Sequence, residues 1–200
     1  MASLSARDGA RWHHVADVVA GIVEPKLSAS VLANRAAAPS SWWRPRPLGP
    51  SLAAARRRAY RLPGPVILRT DVAAFYPSIR PTALFEALRG LDVPADVAGS
   101  AADLVDGWGS EGYDGLPIGP PGSAVMANAV LASVDVALDP HPFLRWVDDY
   151  LISVPSIGAA DEALERLEDA LARAGLRLSP PKTALLEAGP PMRWLRASGG

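Results

Sequence analysis

Residues 143 to 153 read FLRWVDDYLIS, and inside this apolar stretch Asp148 and Asp149 set two carboxylates side by side. Adjacent anions repel. Burying them without a partner either costs several kcal/mol or forces one to take up a proton, so a divalent cation is the natural compensation. A second anion stands at Asp71, at the end of the apolar run VILRTD. Hard ions such as Mg²⁺ take oxygen ligands and keep several waters. One carboxylate from each of two neighbouring strands, together with substrate phosphates, therefore makes a plausible site. Taken alone, the Asp-Asp pair is equally the mark of a solvated turn, and Asp71 that of an ordinary strand end. Lys182 is one of two lysines, with Lys26, among 20 basic residues. Lysine can release a proton where arginine effectively cannot, so Lys182 is a candidate general acid.

These groups need elements to hold them. The apolar residues flanking the Asp pair predict two short strands meeting at a tight turn, with both carboxylates at an exposed tip. Residues 66–71 predict a strand, after which the chain turns through Phe75, Tyr76 and Pro77. Residues 115–122, GLPIGPPG, predict a stiff loop with bare backbone that can approach a flat ligand closely. A helix is expected to follow from near Ser123, with Ser123 as its N-cap. Further helices are predicted near 11–23, 49–60, 79–89, 95–107 and 160–174, the last stopped by Gly175, and strands near 176–179, 183–187 and 192–196. Helices alternating with antiparallel strands, without a βαβ series, indicate an α+β fold.

The order of the segments is more specific than any one of them. Asp71 opens D-x-x-x-F-Y-P-S-I; then come G-L-P-I-G-P-P-G-S at 115–123, F-L-R-W-V-D-D at 143–149 and G-L-R-L-S-P-P-K-T at 175–183. This succession resembles motifs A to D of the reverse transcriptase palm, and the wording is most similar to bacterial, non-retroviral members of the retron, group II intron and abortive-infection or phage-defence types. The resemblance runs from about residue 64 to residue 187. It implies a palm over 64–200, an antiparallel sheet with helices on one face, preceded by a reduced, helical, basic fingers-like region over 1–63. The sequence ends at Gly200, where the family usually continues into a thumb. The chain is thus expected to be an excised palm and fingers domain, a minimal protein that borrows a thumb from a partner chain, or a degenerate remnant.

The resemblance also implies roles. Asp71, Asp148 and Asp149 would hold two Mg²⁺ or Mn²⁺ ions, with the Val72 carbonyl contributing, for nucleotidyl transfer from a dNTP to a primer 3′-hydroxyl. Lys182 would donate a proton to pyrophosphate. Tyr76 would lie under the sugar and exclude a 2′-hydroxyl, while Phe75 keeps a core role. Pro117, Ile118 and Gly119 would face the substrate. Ile118 departs from the family, standing where many members carry a glutamine that touches the nucleotide or template. That puts fidelity and ordinary templated synthesis in doubt and leaves room for untemplated or protein-primed addition, while the missing thumb leaves room for a non-catalytic nucleic-acid-binding or assembly module.

A formal charge of −1 is low for a protein that would hold RNA or DNA template and primer. Its distribution is uneven, however. Between Pro25 and Thr70 there is no acid, while Lys26, Arg35, Arg44, Arg46, Arg56, Arg57, Arg58, Arg61 and Arg69 are all basic. Arginines interleaved with Trp42 and Trp43 suit phosphate pairing and base stacking, which marks Arg44, Arg46, Arg56, Arg57, Arg58 and Arg61 as nucleic-acid contacts. Arg69 lies two residues before Asp71, on the same strand face, and is expected near the site. His13, His14 and His141 have no metal-ligand spacing. No membrane span or signal peptide is visible, and the absence of cysteine excludes disulfides, so a cytoplasmic location is expected.

Overall fold

Strand β1 (Val66–Asp71) is the centre of the sheet, with strands paired on both sides. The computed structural model describes residues 5–35, 57–58, 61–188 and, as backbone, 193–197. The other strands are β2 (Phe143–Trp146), β3 (Asp149–Val154), β4 (Ala184–Glu187) and β5 (Arg193–Ala197). They form an antiparallel five-stranded sheet in the order β2-β3-β1-β4-β5. The helices are α1 (Ala6–Val23), the short turn α2 (Phe75–Ser78), α3 (Pro81–Gly90), α4 (Ala95–Ser110), α5 (Pro121–Val136) and α6 (Ile157–Arg173). The α+β architecture expected from the sequence is the one found.

The described residues fall into two compact units, each assembled from separated pieces of chain. One comprises 5–27, 34–35 and 76–133 and is helical; the other comprises 28–33, 57–58, 61–75, 134–188 and 193–197 and holds the sheet.

In the helical unit, α1 buries Trp12, Val15, Ala16, Val19, Ala20 and Val23, the spacing of one helix face. Trp12 meets Trp108 of α4 edge-to-face, with ring centroids 5.0 Å apart. Gly122 lets α5 come close to α1, since a Cβ there would stand 2.7 Å from Trp12 Nε1 and 2.9 Å from the Ala16 Cβ. α5 is mostly apolar and is buried on nearly all sides. It begins at Pro121, two residues before the expected start. Proline lacks the N–H that a first helical turn leaves unsatisfied and its φ is already helical, so Pro121 takes the first position. Ser123 therefore lies inside the first turn, its hydroxyl buried without a hydrogen-bond partner among the described residues, and it is not the N-cap.

In the sheet unit, α6 packs on β1 and β3 through Ala160, Ala163, Leu167, Ala170 and Leu171, and the Ser156 hydroxyl caps its N-terminus by accepting from the Ala159 N–H. Gly175, at φ +70, ends it as expected. The strand expected at 176–179 does not form. Only Leu178 bridges to Val72, because the main chain there serves the motif A turn: Ala73 N–H donates to Arg177 O and Ser179 N–H to Asp71 O. On the far side of β2, residues 28–33 run alongside, with Arg145 N–H donating to Ser30 O and Leu32 N–H to Arg145 O. Of the expected helix at 49–60, residues 57 and 58 are helical and the remainder lies outside the described residues.

Gly115 is at φ +59, and a Cβ there would overlap the carbonyl oxygens of Tyr76 and Pro77. The Leu116 N–H meanwhile donates to Tyr76 O at 2.9 Å. Gly115→Ala should thus be destabilising by about 1–3 kcal/mol, from strain plus the displaced loop, measured as a drop in the urea midpoint at unchanged m-value.

Candidate active site

β1 and β3 run antiparallel in a register that sets Asp71 directly opposite Asp149. Directly paired residues have Cβ atoms about 5 Å apart, so the two carboxylates emerge together at one end of the sheet. Asp148 occupies the β2–β3 turn. Its backbone carbonyl accepts from Val72 N–H at 3.3 Å, which ties the turn to the chain leaving β1. Val72 itself is buried. Asp148 and Asp149 are half-buried rather than at an exposed tip, and Asp149 is the first residue of β3.

The turn has two residues, Val147 and Asp148, between the paired Trp146 and Asp149. Tight hairpins need positive φ at the first turn residue, and here Val147 adopts φ +60, a conformation that costs a β-branched side chain energy. What holds it is Arg145, whose Nη1 donates to Val147 O at 2.8 Å. The guanidinium is fully buried and clamps Asp135, at the end of α5, through Nε to Oδ1 at 2.9 Å and Nη2 to Oδ2 at 2.8 Å. Tyr150 completes the group, donating its hydroxyl to Asp135 Oδ1 at 2.9 Å while the Arg145 guanidinium lies 5.9 Å from its ring centroid. Burial is the largest influence and would lower the Arg145 pKa, but the charge and hydrogen bond of Asp135, with Tyr150 and Asp148, together outweigh it and the net direction is upward. Burial, then Asp135, drives the Tyr150 phenol well above its ordinary range. The group is thus a guanidinium–carboxylate pair beside a neutral phenol.

Lys182 Nζ lies 2.8 Å from Asp71 Oδ1, and this hydrogen bond raises the lysine pKa. Its turn, a 3₁₀ segment Pro180–Lys182, is anchored from both ends. Ser179 N–H reaches the Asp71 carbonyl, and the Thr183 hydroxyl donates to Ser179 O at 3.1 Å. That leaves Thr70 as the donor in the buried Thr70–Thr183 hydroxyl contact of 2.7 Å. Arg69 Nη2 stands 3.6 Å from Asp149 Oδ1. Of the three carboxylates, Asp148 therefore makes no ion pair among the described residues. Its pKa is raised, first by burial and then by the charge of Asp71.

Tyr76, Pro117, Ile118 and Gly119 belong to the helical unit. Tyr76 is half-buried and Phe75, in the sheet unit, is in the core. Ile118 is 71% exposed, and Gly119 has φ +121. Arg57, Arg58 and Arg61 are exposed, whereas Arg44, Arg46 and Arg56, with Trp42 and Trp43, lie outside the described residues.

Residues 51–196 match the family model of reverse transcriptase (RNA-dependent DNA polymerase). The chain belongs to the reverse transcriptase family. No curated protein matches it. Reverse transcriptases are in general nucleotidyltransferases that use Mg²⁺ and bind nucleic acid and dNTPs. Among the described residues, no helix is long and apolar enough to cross a membrane.

Among the same residues, no group of three or more Asp, Glu, His or Cys side chains is arranged to hold a metal ion by itself. With Lys182 on Asp71 and Arg69 on Asp149, the reverse transcriptase carboxylates are held by cations of the chain itself. The donor set still fits a hard divalent ion arriving with a polyphosphate: oxygen donors on adjacent strands, and between them a half-buried carboxylate without a cation. The sequence reading overlooked Asp135, Arg145 and Tyr150 as a unit. The signal was there in a single acid within the apolar helix run 124–138 and a single arginine within β2, two charges that could be buried only together.

Removing one member of that pair leaves a buried charge uncompensated. Arg145→Met should cost about 3–5 kcal/mol in chemical denaturation, with part recovered on adding Asp135→Asn. Asp148 has the opposite sign. An acid whose folded pKa is raised adds stability below its unfolded pKa and loses it as pH rises through the folded one. Asp148→Asn should therefore raise the thermal midpoint near neutral pH, and the gain should shrink as the buffer is taken down into the ordinary carboxylate range.

Proposed function

We propose that the protein is an RNA-directed DNA polymerase that adds deoxynucleotides to a primer 3′-hydroxyl, of the bacterial, non-retroviral kind found in retroelement and phage-defence systems. The observation that carries this reading is the register of β1 and β3, which sets Asp71 against Asp149 with Asp148, half-buried and without an ion pair among the described residues, in the adjoining turn. Asp71, Asp148 and Asp149 would hold two Mg²⁺ or Mn²⁺ ions, with the Val72 carbonyl as a further oxygen. Bound there, the ions would lower the pKa of the primer hydroxyl and neutralise charge on the α-phosphate and the leaving pyrophosphate.

The chain's own groups divide the remaining work. Asp71 keeps Lys182 protonated until substrate arrives; once released, the ammonium is the proton donor for the pyrophosphate. Arg69 pairs with Asp149 and limits repulsion between the carboxylates. Tyr76 presents its ring to the sugar and rejects a 2′-hydroxyl. Pro117, Ile118 and Gly119 flank the nucleotide, and the basic stretch 1–63, as fingers leading into a palm over 64–200, holds phosphate through Arg44, Arg46, Arg56, Arg57, Arg58 and Arg61. A second reading, addition without a template, is favoured by the exposed Ile118, which offers a base no hydrogen bond.

Incubation with a labelled primer and dNTPs, with and without an RNA template, tests these readings. Template-dependent extension is expected; homopolymer growth from single dNTPs without template supports the second reading, and no incorporation with either Mg²⁺ or Mn²⁺ overturns both in favour of a non-catalytic module. Asp148→Asn with Asp149→Asn should reduce extension by about a hundredfold or more while the circular dichroism spectrum is preserved. Extension at the parent rate would refute the metal assignment.

A further inference from the structure

Tyr76 is held at both ends. Its backbone carbonyl accepts from Ile79 N–H at 3.3 Å and Leu116 N–H at 2.9 Å, which fixes where the side chain starts. Its hydroxyl accepts from Asn34 Nδ2 at 3.3 Å, which fixes where the ring ends. Asn34 sits at φ +58, a left-handed conformation that asparagine tolerates better than most residues. Its own carbonyl accepts from Asn128 Nδ2 at 2.9 Å, and Asn128, 2% exposed, is a buried polar residue midway along α5. The next residue, Arg35, is bound through Nε to Glu24 Oε1 and through Nη2 to the Glu24 carbonyl at 3.4 Å, so the Asn34 segment is fastened just past the end of α1. All of these residues belong to the helical unit.

We infer that Asn34 and Asn128 are positioning residues for the Tyr76 ring, and that the chain Asn128–Asn34–Tyr76 sets how sharply the protein separates deoxy- from ribonucleotides. This rests on the reading of Tyr76 as the ring beneath the sugar. A steric filter discriminates by a single hydroxyl only if its edge cannot retreat. A tyrosine fixed at the backbone alone can still turn about χ1 and χ2. The hydrogen bond to Asn34 stops that movement, and Asn128, buried and pointed at the Asn34 carbonyl, keeps Asn34 in its left-handed geometry. Neither asparagine needs to touch the nucleotide.

The experiment compares wild type with Asn34→Gly, Asn34→Asp, Tyr76→Phe, Tyr76→Ala and the double variant Asn34→Gly/Tyr76→Phe. Each is assayed for the ratio of kcat/KM with a dNTP to that with the matching rNTP, and for equilibrium binding of the same two nucleotides. Glycine keeps the left-handed backbone while removing the amide, so the fold survives the test. Asn34→Gly and Tyr76→Phe should each lower the dNTP preference by roughly three- to tenfold, the worth of one neutral hydrogen bond. The double variant should lose no more than either single one. Asn34→Asp, which can accept from the Tyr76 hydroxyl, should restore the preference; a purely structural role for Asn34 would lower stability and leave the ratio alone. If Tyr76→Ala collapses the preference while Asn34→Gly leaves it at the wild-type value, the inference falls and the role of Tyr76 stands. If Tyr76→Ala changes nothing, or wild type neither binds nor incorporates the two sugars differently, the role of Tyr76 falls and the inference with it.

Discussion

The buried guanidinium of Arg145 is the constraint on which the rest of the site depends. A charge removed from water survives only if its hydrogens are all directed at acceptors, and Arg145 directs them at Asp135 and at the carbonyl of Val147. The first contact fastens the end of α5 to the hairpin, and the second holds the turn in a backbone conformation that valine would otherwise avoid. Asp148 is the other residue of that turn and Asp149 follows directly. The geometry of the acidic doublet is thus inherited from a fully buried basic residue. A lysine, lacking the planar fork, could not make the two parallel bonds to Asp135 together with a third to the turn.

The reverse transcriptase site stores unfavourable electrostatics that the surrounding fold tolerates. Three carboxylates converge at the end of β1 and β3, two are held by Lys182 and Arg69, and the third is left raised in pKa by burial and by its neighbour. A cation delivered with substrate would relieve that imbalance, with phosphate oxygens completing a shell that the described residues alone do not close. The backbone bonds from Ser179 to Asp71 and from Val72 to Asp148 keep the carboxylates from spreading apart.

Much of this could be read from the residues in order. Asp71 at a strand end, the Asp pair in a hairpin and the ends of most helices follow from alternation, proline and glycine, which act locally. The start of α5 was misplaced because a serine was given the cap when a proline two residues earlier fixes the first turn. The strand expected at 176–179 was lost for a tertiary reason, since its main-chain groups are used by the turn after Asp71. The partners of Tyr76, Asp71 and Val147 were not legible at all. Asn34 and Tyr76 are 42 positions apart, and Lys182 and Asp71 are 111 apart, distances over which no periodicity carries information. The paired charges of Asp135 and Arg145 could have been inferred from their apolar settings, but that they meet depends on where α5 ends.

The short segment 28–33, lying along the outer side of β2, bears on how the molecule is made. It is synthesised early, yet its partner Arg145 emerges from the ribosome only after more than a hundred further residues. Until then its backbone groups are left to water. Contacts of such long sequence separation slow folding, because loop entropy must be spent before any bond repays it. Until segment 28–33 docks, the outer side of β2 beside the acidic hairpin is an open strand edge, the kind of surface on which another chain can pair.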